Sequence, residues 1–181
     1  MKALVTAGAV ALAVWLQPTL AGLFSTAPLD LVLIVVVCIA IRWGPTVGLL
    51  AGMCAGLAQD AVSGGIMVGK GTSIIGIGGL ADTVVGYLVG QASTQFIVTG
   101  VLPRLVAFVG GTIVRAVIFM GLYELLNLAH FGFPWAAVLG QGLANAVVGI
   151  VILQALELLP GAAERRQGDR GSGFRTTRRL D

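Results

Sequence analysis

Six apolar stretches, each near the length that crosses hydrocarbon as a helix, follow one another along this chain through short connectors. They run from Ala3 to Phe24, Pro28 to Trp43, Pro45 to Val62, Thr72 to Gly90, Pro103 to Leu125 and Trp135 to Leu159. A helix rises about 1.5 Å per residue, so roughly 17 to 25 apolar residues bridge the ~30 Å hydrocarbon core of a bilayer. The second stretch is short, and Gln91 to Leu102 reads either as an interfacial helix or as an extension, so five spans remain an alternative to six. Runs such as Leu31 to Ile41 do not alternate between apolar and polar residues, which argues against barrel strands. With 57% hydrophobic and only 10% charged residues, the chain lacks the polar surface to enclose one soluble core. The fold class expected is all-α: a polytopic membrane protein of about six transmembrane helices. Gln17 and Pro18 interrupt the first run and no small-residue cleavage site is clear, so that run reads as a retained helix rather than a signal peptide.

Charge divides the chain. Through residue 159 the cations Lys2, Arg42, Lys70, Arg104 and Arg115 balance Asp30, Asp60, Asp82, Glu124 and Glu157, so the formal net charge of +3 comes from the tail. The expected organisation is a six-helix domain, residues 1–160, followed by a basic cytoplasmic tail, residues 161–181, with no apolar periodicity and hence disordered. Lys and Arg of short flanking segments stay on the cytoplasmic side. Six spans then put Lys2, Arg42, Arg104 and the tail arginines inside and Lys70 outside, with both termini cytoplasmic. The tail either contacts anionic lipid or an acidic partner, or serves only as a topology determinant.

Two rows at helical spacing stand out within the spans. Gly48, Gly52, Gly56 and Asp60 form one; Gly78, Asp82, Gly86 and Gly90 form the other. Small residues four apart let helices approach closely where lipid offers no hydrophobic drive, so both faces are expected to be buried, against another span or against a second chain. Charges at membrane depth cost about 2.5 to 3.5 kcal/mol on insertion scales and face a partner or a cavity. Counting down the fourth span places Asp82 about 15 Å deep, and counting up the fifth places Arg115 about 18 Å from its inner end. The two are expected to form an interhelical ion pair; the alternative is separate satisfaction by Ser, Thr, backbone or water. Asp60, Glu124 and Glu157 are expected to reach the interfaces.

Catalytic motifs are missing. Gly64, Gly69 and Lys70 mimic a phosphate loop, but Gly71 stands where Ser or Thr must hold magnesium, and no strand precedes it. The connector reads instead as an outer turn whose glycines allow positive φ. The single histidine, His130, has no nucleophile context and reads as interfacial, beside the aromatic anchor Trp135. Cys38 and Cys54 read as small apolar side chains. No catalytic residue, metal, cofactor or nucleic-acid partner is expected.

The stretch from Asp30 to Gly90 resembles the MreD family of bacterial rod-shape-determining membrane proteins. The resemblance rests on Pro28 to Asp30 leading into an apolar run, then Arg42, Trp43 and Gly44, then Gly48, Gly52, Gly56, Leu57 and Asp60, then Gly69, and finally Gly86 through Gly90. Gly56 to Asp60 and Gly86 to Gly90 are its most specific parts; the second half matches in hydropathy alone, and the basic tail has no counterpart. The resemblance implies a non-enzymatic component of the cell-elongation complex in the bacterial cytoplasmic membrane. Such a component binds an MreC-like single-span protein, with other elongation-complex members within reach and homo-oligomerisation open, and so controls cell shape and lateral peptidoglycan synthesis. Gly48, Gly52, Gly56, Asp60, Gly86 and Gly90 would be partner-binding or structural, with Asp60 capping the outer end of its helix or the following turn. A six-helix, glycine-rich chain is also similar to the substrate-binding subunits of energy-coupling-factor vitamin transporters. These need a polar outward pocket, for which the outer connectors offer only Ser63, Lys70, Thr72, Glu124, Asn127, His130 and Trp135.

Overall fold

A computed structural model describes residues 2–23, 29–68, 72–95, 100–126 and 134–158. Among them are six helices, α1 (Lys2–Leu23), α2 (Leu31–Trp43), α3 (Pro45–Val62), α4 (Ile77–Gln95), α5 (Val101–Leu125) and α6 (Trp135–Leu158). A small antiparallel hairpin, β1 (Ile66–Val68) with β2 (Thr72–Ile74), joins α3 to α4, with Met67 opposite Ser73. The 161–181 tail, Lys70, Asn127 and His130 lie outside the described residues.

Helix α2 is the axis of the fold. Apart from the exposed Arg42 in its last turn, its sequence is apolar all round, the pattern of a helix enclosed by others, and it divides two cores. On one side Val32, Val36 and Ile39 pack with Val10 and Val14 of α1 and Ala51 and Ala55 of α3. On the other, Leu33, Ile34 and Val37 pack with Val85 of α4, Phe108 of α5 and Ala146 of α6. The turn from α2 into α3 is a single residue, Gly44, at φ +85°, with Pro45 opening the next helix. Only glycine takes that conformation without strain, and proline suits a first helical position because its missing N–H is not needed there. The chain therefore reverses at once and lays α3 back along α2.

Helices α3 and α4 meet through the two glycine rows. A Cβ at Gly48 would collide with the Gly86 carbonyl, one at Gly52 with the Asp82 carbonyl, one at Gly56 with Gly79, and one at Gly90 with Pro45. The small-residue faces are thus packed against each other. At α5 and α6 the Phe108 ring occupies the place a side chain would need at Gly149.

Two boundaries depart from the sequence reading. The fourth helix starts at Ile77 and not Thr72, because 72–74 pairs with 66–68 and Gly76, at φ +119°, ends the hairpin. It also runs on to Gln95, five residues beyond Gly90. By length and apolarity only α5 and α6, of the described helices, suffice to cross a membrane. Helix α2 has 13 residues, and α3 and α4 are diluted by glycine, Gln59, Asp60, Asp82 and Thr83.

Around an apolar core, several polar side chains are buried and many large apolar ones are exposed. Asp30, Asp82, Arg104, Thr112 and Asn145 are buried, whereas Trp15, Val106 and Val147 are 78%, 61% and 65% exposed.

Candidate functional site

Of the buried polar residues, Asp30, Asp82, Thr112 and Asn145 belong to a single connected cluster, which Arg104 does not join. Its foundation is the start of α2, where Asp30 is the N-cap: Oδ1 accepts from the Leu33 N–H at 3.1 Å, satisfying one of the orphan donors of the first turn. The Asp30 N–H donates to Asn145 Oδ1 of α6 at 3.0 Å. Asn145 Nδ2 donates in turn to Thr112 Oγ1 of α5 at 3.3 Å, and Thr112 donates to the Phe108 carbonyl at 2.9 Å. From α1, Gln17 clamps the segment entering α2, its Nε2 donating to the Leu29 carbonyl at 3.1 Å and its Oε1 accepting from the Leu31 N–H at 2.8 Å.

Arg115 of α5 closes the network. Its Nη1 donates to Asp30 Oδ2, and its Nε donates to Asp82 Oδ1 of α4 at 2.7 Å. The sequence expectation placed Arg115 with Asp82, and the structure brings them together; it adds Asp30 as a second carboxylate on the same guanidinium. The residues supporting this cluster, Gln17, Asp30, Thr112 and Asn145, were not among the sequence candidates. The available signal was weak: Gln17 and Asn145 interrupt otherwise apolar runs, a pattern that marks cost without naming a partner.

The depth estimate needs correction. Because α4 begins at Ile77, Asp82 is only about 8 Å into the helix from that end at 1.5 Å per residue. Counted from Lys2, Trp43, Gln95, Val101 and Leu158, the helix ends that the up-and-down order gathers on one side, Gln17, Asp30, Asp82, Arg115 and Asn145 all lie at about 20 Å. They form one polar layer through five helices.

A second device sits at the α3–α4 turn. Asp60 Oδ2 accepts from the N–H groups of Gly76, Gly78 and Gly79 at 2.8, 3.0 and 3.3 Å. Asp60 therefore caps the N-terminus of α4, not its own helix, and sets a negative charge against the positive end of the α4 dipole. A Cβ at Gly78 would displace the carboxylate from this position.

At the opposite end Arg104 donates to Glu157 at 2.6 Å, joining the start of α5 to the end of α6. Arg104 is thus buried and paired rather than a free flanking cation, while Glu157 and the exposed Glu124 reach the periphery. Cys38 is buried, Cys54 faces outward, and both are free thiols.

No family model, curated protein or solved structure matches the chain.

On the outside, α4 and α5 leave a shallow groove of about 200 Å³, lined among others by Val85, Leu88, Ala92, Val106 and Gly110. A side chain at Gly110 would meet nothing within 4 Å. The groove contributes no hydrogen-bonding side chain, and its floor is a place where another apolar helix could approach closely.

Proposed function

We propose that this protein is a six-span, non-enzymatic scaffold of the bacterial cell-elongation complex, related to the MreD family and holding an MreC-like single-span partner in the cytoplasmic membrane. The observation that carries the reading is how the chain uses its charges. Asp30, Asp60, Asp82, Arg104 and Arg115 each bond to a different helix from their own. They act as cross-braces between helices.

The six-span reading draws support from the exposed apolar side chains. Exposed Trp, Leu and Val on α1, α3, α4, α5 and α6 surround a buried polar layer, the arrangement that hydrocarbon favours. The short α2 is compatible with it because that helix is wrapped by the others and touches little lipid. Both termini then lie in the cytoplasm with the basic tail.

With the Gly48–Gly56 and Gly78–Gly90 faces spent inside the chain, the partner's transmembrane helix is assigned to the α4–α5 groove. Its apolar lining suits a helix held by van der Waals contact at small residues. It does not suit a vitamin, which needs convergent hydrogen-bonding groups.

Purification from the native membrane in mild detergent tests the proposal, with a photoreactive residue at Leu88 or Val106 and mass spectrometry of proteins and extractable small molecules. Cross-linking to the membrane helix of an MreC-like protein, in near-stoichiometric amount and without a metabolite, is the expected result. Recovery of a vitamin or of ATPase subunits overturns the scaffold in favour of transport.

A further inference from the structure

The buried cluster has an imbalance that the scaffold reading does not use. Two carboxylates, Asp30 and Asp82, share the one guanidinium of Arg115, so the fully ionised cluster carries a net negative charge with side-chain exposures of 3%, 0% and 19%. Such a charge is costly away from water unless it is paired and hydrogen-bonded.

The two acids are not equivalent. Asp30 has both oxygens supplied with donors, the Leu33 N–H and Arg115 Nη1. Asp82 has one, Arg115 Nε on Oδ1; its Oδ2 is buried with no hydrogen-bond partner. The groups facing Asp82 do not compensate. Asp60 at the end of α3 is another acid, already held by the α4 N-terminus. Elsewhere in the polar network, Asn145 of α6 and Gln17 of α1 are neutral and their hydrogen bonds go to Asp30, Thr112 and the segment entering α2. We propose that the Asp30–Arg115–Asp82 cluster is a proton-binding site, holding one exchangeable proton on Asp82 Oδ2 at neutral pH.

The step is a simple acid–base equilibrium. A proton from the aqueous phase forms an O–H bond at Asp82 Oδ2, and the cluster passes from one net negative charge to neutral. Asp82 Oδ1 continues to accept from Arg115, so the α4–α5 link survives. Asp30 stays ionised as the counter-charge of Arg115. A metal cation is the poorer occupant, since the nearby Thr112 and Asn145 oxygens are committed to their own hydrogen bonds and the described residues hold no group of three or more His, Cys, Asp or Glu suited to a metal. Release of the proton would return a buried, unshared charge to the junction of α2, α4 and α5, so the folded state should weaken as pH rises. This holds whichever partner the scaffold takes.

The test is infrared difference spectroscopy of the full chain in lipid nanodiscs. The carbonyl stretch of a protonated carboxylic acid should be present at neutral pH and shift with carbon-13 aspartate labelling, which needs no variant. It should vanish in Asp82→Asn, a neutral mimic expected to fold and to lose the weakening that the natural chain should show as pH rises above the ordinary carboxylate range. A spectrum with ionised carboxylates only, or a band unchanged in Asp82→Asn, overturns the proposal. So does stabilisation by sodium over choline at equal ionic strength without a protonated band, which would put a metal ion in the proton's place.

Discussion

Replacing Arg115 with methionine tests the architecture most directly, because the side chain keeps its apolar stem and loses the group that both carboxylates share. Asp30 would be left as a buried charge whose opposite partner is gone, and breaking a buried pair from one side costs about 3 to 5 kcal/mol. Asp82 contributes less to the loss, since it can remain neutral. The informative control exchanges the two charges, Asp82→Arg with Arg115→Asp. An isolated pair would recover much of its stability on exchange, which is the outcome expected from Asp82 and Arg115 alone. In this fold Asp30 would then face a carboxylate at 115, so the exchange should recover less than about 1 kcal/mol, a non-additivity that a double-mutant cycle resolves. Reversible unfolding in mixed micelles titrated with dodecyl sulfate, followed by circular dichroism, measures the four forms of the cycle and Arg115→Met. An Arg115→Met protein within about 1 kcal/mol of the natural one, or an exchange that restores full stability, would refute the shared-guanidinium reasoning.

Other perturbations separate the remaining contacts. Gly52→Ala and Gly86→Ala force a methyl into facing backbone carbonyls and should each cost about 1 to 3 kcal/mol in the same unfolding assay, whereas Gly110→Ala should be neutral or stabilising by up to about 1 kcal/mol. Asp60→Ala removes the acceptor of three N–H groups and should cost about 1 to 2 kcal/mol, with faster amide hydrogen exchange confined to Gly76–Leu80. Asn145→Ala leaves the buried Asp30 N–H without its acceptor, at about 1 to 3 kcal/mol, while Asn145→Asp should be worse for adding a third buried acid. Gly110→Leu, which fills the α4–α5 groove, should abolish cross-linking from Leu88 to the partner helix without lowering stability; retained cross-linking would move the docking site elsewhere.

Much of the helical layout was legible because it is local. The bounds of α3 and α6 follow from Pro45, from the turn glycines after Val62 and from the apolar run opening at Trp135. The glycine rows announced close packing, since a helix buries whatever repeats every fourth residue on one face. What they could not announce was the face opposite. That Gly52 lies on the Asp82 carbonyl is a matter of two helices' registers, which depend on the Gly44 turn and on the length of the β1–β2 hairpin. The hairpin itself was hidden because 72–74 reads equally well as the beginning of an apolar helix until it pairs with 66–68.

By itself, the sequence determined that the chain is mostly helical and apolar, that charges within its apolar runs must be partnered, and that Arg115 and Asp82 were suitable for each other. Hydropathy and helical periodicity are sums over neighbours in the chain, so they survive without a fold. Only the tertiary structure decided that Asp30, the cap of the second helix, joins them, that Asn145 and Gln17 support it, and that Asp60 serves the helix after its own. Those pairings span sequence separations from 12 residues for Gln17 with Leu29 to 115 for Asp30 with Asn145. They exist because five helices place their polar positions at one level, where a buried charge has nowhere to find a donor except on a neighbouring helix.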